Sequence, residues 1–129
     1  GLEGRVEFTG KLSDEELLRR YSEAAITVMP SLYEGFGLPA AEALCCGSAV
    51  VATRAGALPE IVIDGKTGIL VPPKNADALA DALMDMLENR NRREQMTEAG
   101  REHIRSRFAW DAIAERTEKV YEDVIAEKL

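Results

Sequence analysis

Long hydrophobic runs are missing from this chain of 129 residues. No apolar stretch approaches the ~18–20 residues that cross a bilayer, and no signal-peptide pattern opens the sequence. We therefore expect no transmembrane segment. The length predicts a single domain, residues 1–129, that is large enough to bury a hydrophobic core.

Positive charge is scarce as well. Lys and Arg together number 16 against 23 Asp and Glu, which gives a formal net charge of −7. An acidic chain without a basic cluster argues against nucleic acid and against an anionic membrane as partners. The longest positive run, Arg90-Asn91-Arg92-Arg93, is interpreted as a solvated helix junction.

Cysteine and histidine are rare. Cys45 and Cys46 are adjacent in a stretch that reads as helix, so no disulfide is expected between them. Their spacing suits neither a metal site nor a redox site, and we interpret them as small buried core residues. Buried thiols suit a reducing compartment, which favours the cytoplasm. His103, the only histidine, is expected at the surface of a charged helix.

The most informative stretch is residues 31–47. An apolar, strand-like run ends at Met29-Pro30, and a loop broken by glycines then carries Glu34. Pro39 is expected to open a short helix with Glu42 in its first turn, and Gly47 to close it. A strand, a glycine loop and a helix N-terminus are the arrangement by which α/β sheets hold anionic ligands. Two glutamates eight residues apart add acceptors for hydroxyl groups, so a sugar nucleotide is the first hypothesis.

The remaining pattern predicts a layered α/β protein. Residues 5–9 alternate like a short strand, Ser13 and Glu16 form a capping box, and residues 25–29, 48–53 and 69–71 read as strands. A one-turn helix is expected around Pro59. Three helices follow. Asn75 or Asp77 is expected to cap the first, and the second and third are expected to cover residues 91–106 and 111–127. The predicted fold is α/β: a partial Rossmann-like parallel sheet flanked by helices, ending in three consecutive helices.

Five stretches, taken together, resemble one protein family. They run in the family's order and are Val6–Leu17, Met29–Pro39, Gly56-Ala57-Leu58-Pro59-Glu60, Asp64–Pro73 and Phe108-Ala109-Trp110. The chain resembles the C-terminal half of the nucleotide-binding domain of a retaining, GT-B glycosyltransferase of the glycosyl transferases group 1 type (family four). The resemblance implies transfer of a sugar from a nucleoside-diphosphate sugar to an acceptor hydroxyl, generally without a bound metal or other cofactor.

The resemblance also implies roles for individual residues. Donor-sugar binding falls to Glu34, Gly35, Phe36, Gly37 and Leu38, and ribose binding to Glu42. Alternatives stay open for both glutamates: Glu34 as a carboxylate that caps nearby backbone N–H groups, and Glu42 as a favourable charge in the first turn of a helix. Gly35 and Gly37 are expected to adopt positive φ, and the N–H groups of residues 36–38 to face the donor. No residue is assigned with certainty to catalysis.

The differences from the family generate further expectations. Nothing in the chain matches the family's N-terminal acceptor domain, nor the Arg and Lys that bind the donor diphosphate, so we expect a truncated domain. The isolated chain is then expected to be inactive and to bind nucleotide weakly or not at all. The alternative is a non-catalytic α/β interaction or self-associating module. A homo-oligomer formed through an exposed sheet edge or the last helix is plausible.

Overall fold

The architecture is an α/β sandwich of three layers, seen in a computed structural model that describes residues 1–128; the last residue of the predicted domain lies outside them. Its helices and strands, in chain order, are α1 (Asp14–Glu23), β1 (Ile26–Met29), α2 (Leu38–Cys46), β2 (Ala49–Thr53), α3 (Leu58–Ile61), β3 (Ile69–Val71), α4 (Ala76–Glu88), α5 (Arg90–Phe108) and α6 (Trp110–Lys128). The predicted fold class is confirmed, including the three consecutive helices at the end. None of the helices in the described residues is long and apolar enough to cross a membrane.

The sheet is parallel and has the order β1-β2-β3. β2 is buried along its whole length because it has a strand on each side and a helical layer on each face. Alternate residues enter the two cores: Val50 and Ala52 face α2 and α3, whereas Ala49 and Val51 face α4. This central strand therefore fixes where the loops at its carboxyl end lie.

Local capping signals position α1 and α4. The Ser13 hydroxyl accepts a hydrogen bond from the Glu16 N–H, and the Asn75 side chain accepts one from Ala78 N–H. The predicted capping box is only half formed, because the Glu16 carboxylate accepts from Arg19 instead of from Ser13 N–H. Helix α5 packs closely on α2 because Gly100 has no side chain there. A Cβ at that position would lie 2.6 Å from Leu44 Cδ2.

The predicted strand at residues 5–9 is wrong. These residues form no sheet, and the Phe8 side chain is 96% exposed. An isolated extended segment gains nothing from its alternating pattern unless a neighbouring strand pairs with it. Within the described residues β1 is consequently an edge strand. The Arg90–Arg93 run does lie at a solvated junction, where α4 meets α5.

Leu44 tests the packing of α2 against α5, because its side chain is fully buried there. We expect Leu44→Ala to lower the free energy of unfolding by about 2–5 kcal/mol, since it removes buried methyl groups and leaves a cavity. Leu87→Ala is the matched control because that leucine is 55% exposed, and it should change stability by less than about 0.5 kcal/mol. Urea denaturation measures both; equal losses would contradict the assignment of the core.

Asp64 gives the stability a pH dependence. Its carboxylate accepts hydrogen bonds from Leu70 N–H at 2.9 Å and from Arg54 at 2.8 Å. Burial by itself raises the pKa of Asp64, but these two partners outweigh it and hold the pKa below its ordinary value. This stabilisation is present above the unfolded pKa of about 4 and is lost as the pH falls through the lower folded pKa. Urea denaturation from pH 6 downward should show a shallower decline for Asp64→Asn than for the wild type, and identical slopes would count against this role.

Candidate active site

Two loops at the carboxyl edge of the sheet form the site. One, residues 30–37, follows β1 and leads into α2; the other, residues 54–57, follows β2 and leads into α3. Thr53, buried at the end of β2, donates its hydroxyl hydrogen bond to the Ser31 carbonyl. The first loop is therefore tied to the central strand at its start.

A second tie joins the two loops at their tips. The Glu34 carbonyl accepts a hydrogen bond from Ala57 N–H at 3.0 Å. Gly56 lies against the same carbonyl with a φ of +52°, and a Cβ there would come within 2.0 Å of that oxygen. Any side chain at residue 56 would push the loops apart, so this glycine fixes the height of Glu34 above the sheet.

Glu34 and Gly37 together set the start of α2. Gly37 is the N-cap residue, is buried and has a φ of +92°. Its N–H donates to Glu34 Oε1 at 3.2 Å. The Glu34 side chain thus caps the backbone, as one of its two interpretations proposed, while Oε2 accepts no hydrogen bond from residues 1–128. A carboxylate has acceptor capacity beyond one such contact.

The two loop glycines differ. The positive φ predicted for Gly37 is confirmed, whereas the one predicted for Gly35 is wrong: Gly35 is not among the residues with positive φ. Gly35 is exposed, and a Cβ added to it would meet nothing within 4 Å. Its lack of a side chain therefore leaves open space above the loop and relieves no strain in it.

Two of the three predicted backbone donors are free. The N–H groups of Phe36 and Leu38 make no hydrogen bond within residues 1–128, but that of Gly37 is occupied by Glu34. Pro39 has no N–H, and Ala40 N–H already donates to the Gly37 carbonyl at 3.1 Å. The free donors at the start of α2 are therefore few.

Glu42 lies in the second turn of α2, not in the first turn as predicted, since the helix begins at Leu38. Its interpretation as a charge that interacts with the helix dipole loses support, because that effect fades beyond the first turn. Glu42 is half-buried and accepts no hydrogen bond within residues 1–128. Glu42 lies near Tyr21 of α1. The pKa of the Tyr21 phenol is raised mainly by burial and, to a smaller extent, by the nearby Glu42 and Cys46.

Glu42 opens into a groove of about 540 Å³ between α1, α2, α5 and the start of α6. We call it the apolar groove; its lining includes Leu18, Phe36, Leu38, Glu42, Phe108 and Trp110. Glu34 does not line it. The structure therefore brings Phe36, Leu38 and Glu42 together on one surface that does not include Glu34.

Several residues that hold the loops of the site were not predicted from the sequence. Thr53 and Gly56 act through backbone contacts, and only the position of Gly56 directly after a strand could have drawn attention to it. His103, expected at the surface, is half-buried, and its Nε2 lies 3.0 Å from the Glu60 carbonyl. The His103 ring packs edge-to-face on Phe108, which packs in the same way on Phe36. This aromatic chain fastens the loop to α5.

The cysteines also differ from expectation. Both are free thiols, but Cys45 is exposed and Cys46 half-buried, because they lie on the outer side of α2. Burial of its thiol group and the neighbouring Cys46 raise the pKa of Cys45 against the opposing effect of two arginines, Arg101 and Arg105. Within residues 1–128, no group of three or more His, Cys, Asp or Glu side chains is placed to hold a metal ion.

Comparison with known proteins identifies the family of this chain. The model of the glycosyl transferases group 1 family matches residues 1–103, which is most of the chain. The chain belongs to this glycosyltransferase family. Among curated relatives, an MMP alpha-(1->4)-mannosyltransferase of Mycolicibacterium hassiacum is 41% identical over 98% of the chain. A D-inositol 3-phosphate glycosyltransferase of Corynebacterium diphtheriae is 43% identical over 95% of it.

Solved structures of glycosyltransferases share the fold. Sucrose-phosphate synthase from Thermosynechococcus elongatus aligns with a TM-score of 0.86 and 40% identity, over 98% of this chain and 32% of that one. Anabaena HepE, solved in complex with UDP, aligns with a TM-score of 0.85 and 26% identity, over 95% of this chain and 33% of that one. The chain spans only 31% and 29% of the two curated relatives.

Gly56 and Gly35 form a matched pair for testing the loop. We expect Gly56→Ala to lower the free energy of unfolding by roughly 2–4 kcal/mol, because it combines a left-handed backbone with a clash against the Glu34 carbonyl. Gly35→Ala should be nearly neutral, since its Cβ enters open space. Urea denaturation and the amide resonance of Ala57 measure both effects. A Gly56→Ala protein with wild-type stability would show that the two loops are not held together in this way.

Proposed function

We propose that this chain forms part of the donor-binding domain of a retaining glycosyltransferase that uses a nucleoside-diphosphate sugar. Glu34, Gly35, Phe36, Gly37 and Leu38 surround the donor sugar and diphosphate, and Glu42 binds the ribose. The isolated chain, in this proposal, transfers no sugar and binds the nucleotide weakly or not at all. No cofactor is invoked.

The observation that carries the proposal is the set of unpaired polar groups around the start of α2. The Glu42 carboxylate and the N–H groups of Phe36 and Leu38 have no partner within residues 1–128. A carboxylate suits a vicinal diol because it accepts two hydrogen bonds at once. Backbone N–H groups at the start of a helix suit phosphate oxygens. A nucleoside diphosphate presents both kinds of group a short distance apart.

Glu34 has a double role in this proposal. Its Oε1 holds the Gly37 N–H and so keeps the loop in shape, while Oε2 is available to a sugar hydroxyl. The open space at Gly35 admits the sugar ring. These assignments agree with what the resemblance implies, and the structures of HepE with UDP and with UDP-glucose support a nucleotide sugar as the class of donor.

Weak binding by the isolated chain follows from its charges. Among the described residues, no Lys or Arg lines the apolar groove beside Glu42. The N-terminus of α2 supplies only about half a positive charge, and charge-assisted contacts are the stronger ones for phosphate. In this proposal the intact enzyme contributes the missing cations and the acceptor site, which is consistent with the limited share of each relative that the chain spans.

A non-catalytic module is the second candidate, favoured by the large apolar surfaces that the chain exposes. Self-association through the β1 edge or the last helix belongs to this candidate. Two free thiols on α2 also suit the reducing cytoplasm, which we propose as the compartment under either candidate. Nucleotide binding at Glu42 would count against the second candidate, because only the first provides a site for it.

Nucleotide titration tests the donor site. We expect UDP or GDP to shift the amide resonances of residues 36–42 with a dissociation constant in the millimolar range or weaker. Glu42→Gln should reduce these shifts at a given concentration. Glu88→Gln, an exposed glutamate at the end of α4, should not.

The possible outcomes are distinct. Micromolar binding by calorimetry would overturn the claim that the isolated chain has lost most of its affinity. Shifts that fall elsewhere, or that Glu42→Gln leaves unchanged, would overturn the assignment of Glu42. Shifts at residues 36–42 that Glu42→Gln reduces would contradict the non-catalytic module.

A further inference from the structure

Helix α3 is tied to α5 by a single side chain, His103. Its Nε2 lies 3.0 Å from the Glu60 carbonyl oxygen, which accepts no other hydrogen bond within residues 1–128. The last carbonyls of a helix need a partner from outside it, and α3 is only one turn long. A carbonyl oxygen can only accept, so Nε2 carries the hydrogen and Nδ1 is the bare nitrogen of the neutral ring. His103 therefore anchors the end of α3.

Helix α3 in turn holds one of the two loops of the site. It follows directly on the turn after β2, whose Ala57 N–H donates to the Glu34 carbonyl. Leu58 and Ile61 also pack beside Gly37: a Cβ on that glycine would lie 3.1 Å from Leu58 Cδ2 and 3.4 Å from Ile61 Cγ1. A displacement of α3 would therefore disturb both the Glu34 backbone and the N-cap of α2.

The His103 ring acts on the other loop as well. Its centroid lies 5.9 Å from that of Phe108 at an interplanar angle of 77°, and Phe108 lies 5.9 Å from Phe36 at 85°. Both are edge-to-face contacts, which aromatic pairs prefer. The Arg107 guanidinium, 5.9 Å from the Phe108 centroid, adds a third contact to the central ring. Phe36 itself is 47% exposed, and the stack limits the positions that its ring can take.

We propose that His103 is a positioning residue of the donor site. Its hydrogen bond to Glu60 holds the loop after β2 through α3, and its ring holds the loop after β1 through Phe108 and Phe36. His103 does not line the apolar groove, so it acts through these partners and not on the ligand. The effect on the donor rests on the proposed function, whereas the bracing of the two loops does not.

Two substitutions of His103 separate the two contacts. His103→Gln keeps an N–H that can donate to the Glu60 carbonyl but removes the ring, and His103→Phe keeps a ring on Phe108 but removes the donor. We expect His103→Phe to speed hydrogen exchange at Ala57 N–H by about threefold or more, because the lost hydrogen bond frees α3. His103→Gln should leave that rate unchanged and should weaken the nuclear Overhauser contacts between the rings of Phe36 and Phe108.

Glu102→Gln, on an exposed neighbour in α5, is the control and should change neither measurement. The amide of Val51 in the buried strand β2 reports global unfolding, so a variant that loses only overall stability speeds exchange at Val51 and Ala57 alike. Such parallel changes, or an Ala57 rate that His103→Phe leaves unaltered, would overturn the bracing. Ring contacts that survive His103→Gln would overturn its aromatic part. A long-range ¹H–¹⁵N spectrum that places the ring hydrogen on Nδ1 would overturn the contact with Glu60.

Titration with UDP tests the consequence for the donor. We expect His103→Gln and His103→Phe each to raise the dissociation constant at least about twofold, measured from the shifts at residues 36–42, because a loop that is already ordered costs less to bind. Glu102→Gln should match the wild type.

The outcomes separate this inference from the proposed function. Wild-type affinity in both His103 variants would overturn the positioning role and leave the proposed function intact. A wild type without any UDP-induced shift would also overturn the effect on the donor in this chain, although it is compatible with the proposed function. Shifts that fall outside residues 36–42 would overturn the assignment of Glu42, but not the bracing measured in the free protein.

Discussion

The contact between the Glu34 carbonyl and the Gly56–Ala57 turn is the constraint on which the candidate site depends. It joins loops that follow two different strands, and it tolerates no side chain at residue 56. Because the Glu34 backbone is held there, its side chain reaches the Gly37 N–H and fixes the first residue of α2. The positions of Leu38 and Glu42 follow from the helix geometry. One backbone contact thus sets the relative placement of every residue proposed to meet the donor.

Much of the fold could be predicted because its signals are local. Ser13 and Asn75 cap helices through side chains that lie three residues from their partners, and the continuous apolar run of β2 needs no knowledge of its neighbours. The strand predicted at residues 5–9 failed for the opposite reason, since a strand exists only through a partner that the local sequence does not specify. The burial expected for Cys45 is wrong because an apolar residue on a short helix is buried only where another element covers it.

The sequence pointed to the loop and the start of α2 as a candidate site but not to the arrangement of their residues. A pattern of glycines, a proline and two glutamates identified the stretch. The hydrogen bond that occupies Gly37 N–H depends on the rotamer of Glu34, and the place of Glu42 in the second turn depends on where the helix starts. Neither is encoded in residue spacing alone. The support from His103 and Phe108 comes from a helix more than 40 residues later in the chain, so no local pattern could reveal it.

The difference among the loop glycines has a consequence for substitutions in this loop. Gly56 and Gly37 are required by the backbone, so substitutions there cost folding before they affect a ligand. Gly35 is free of this requirement, with an ordinary φ and empty space above it. Side chains introduced at residue 35 would enter the space proposed for the donor sugar while leaving the scaffold intact. Under the proposed function, a substitution at residue 35 is expected to change sugar preference without a loss of stability that must be compensated elsewhere.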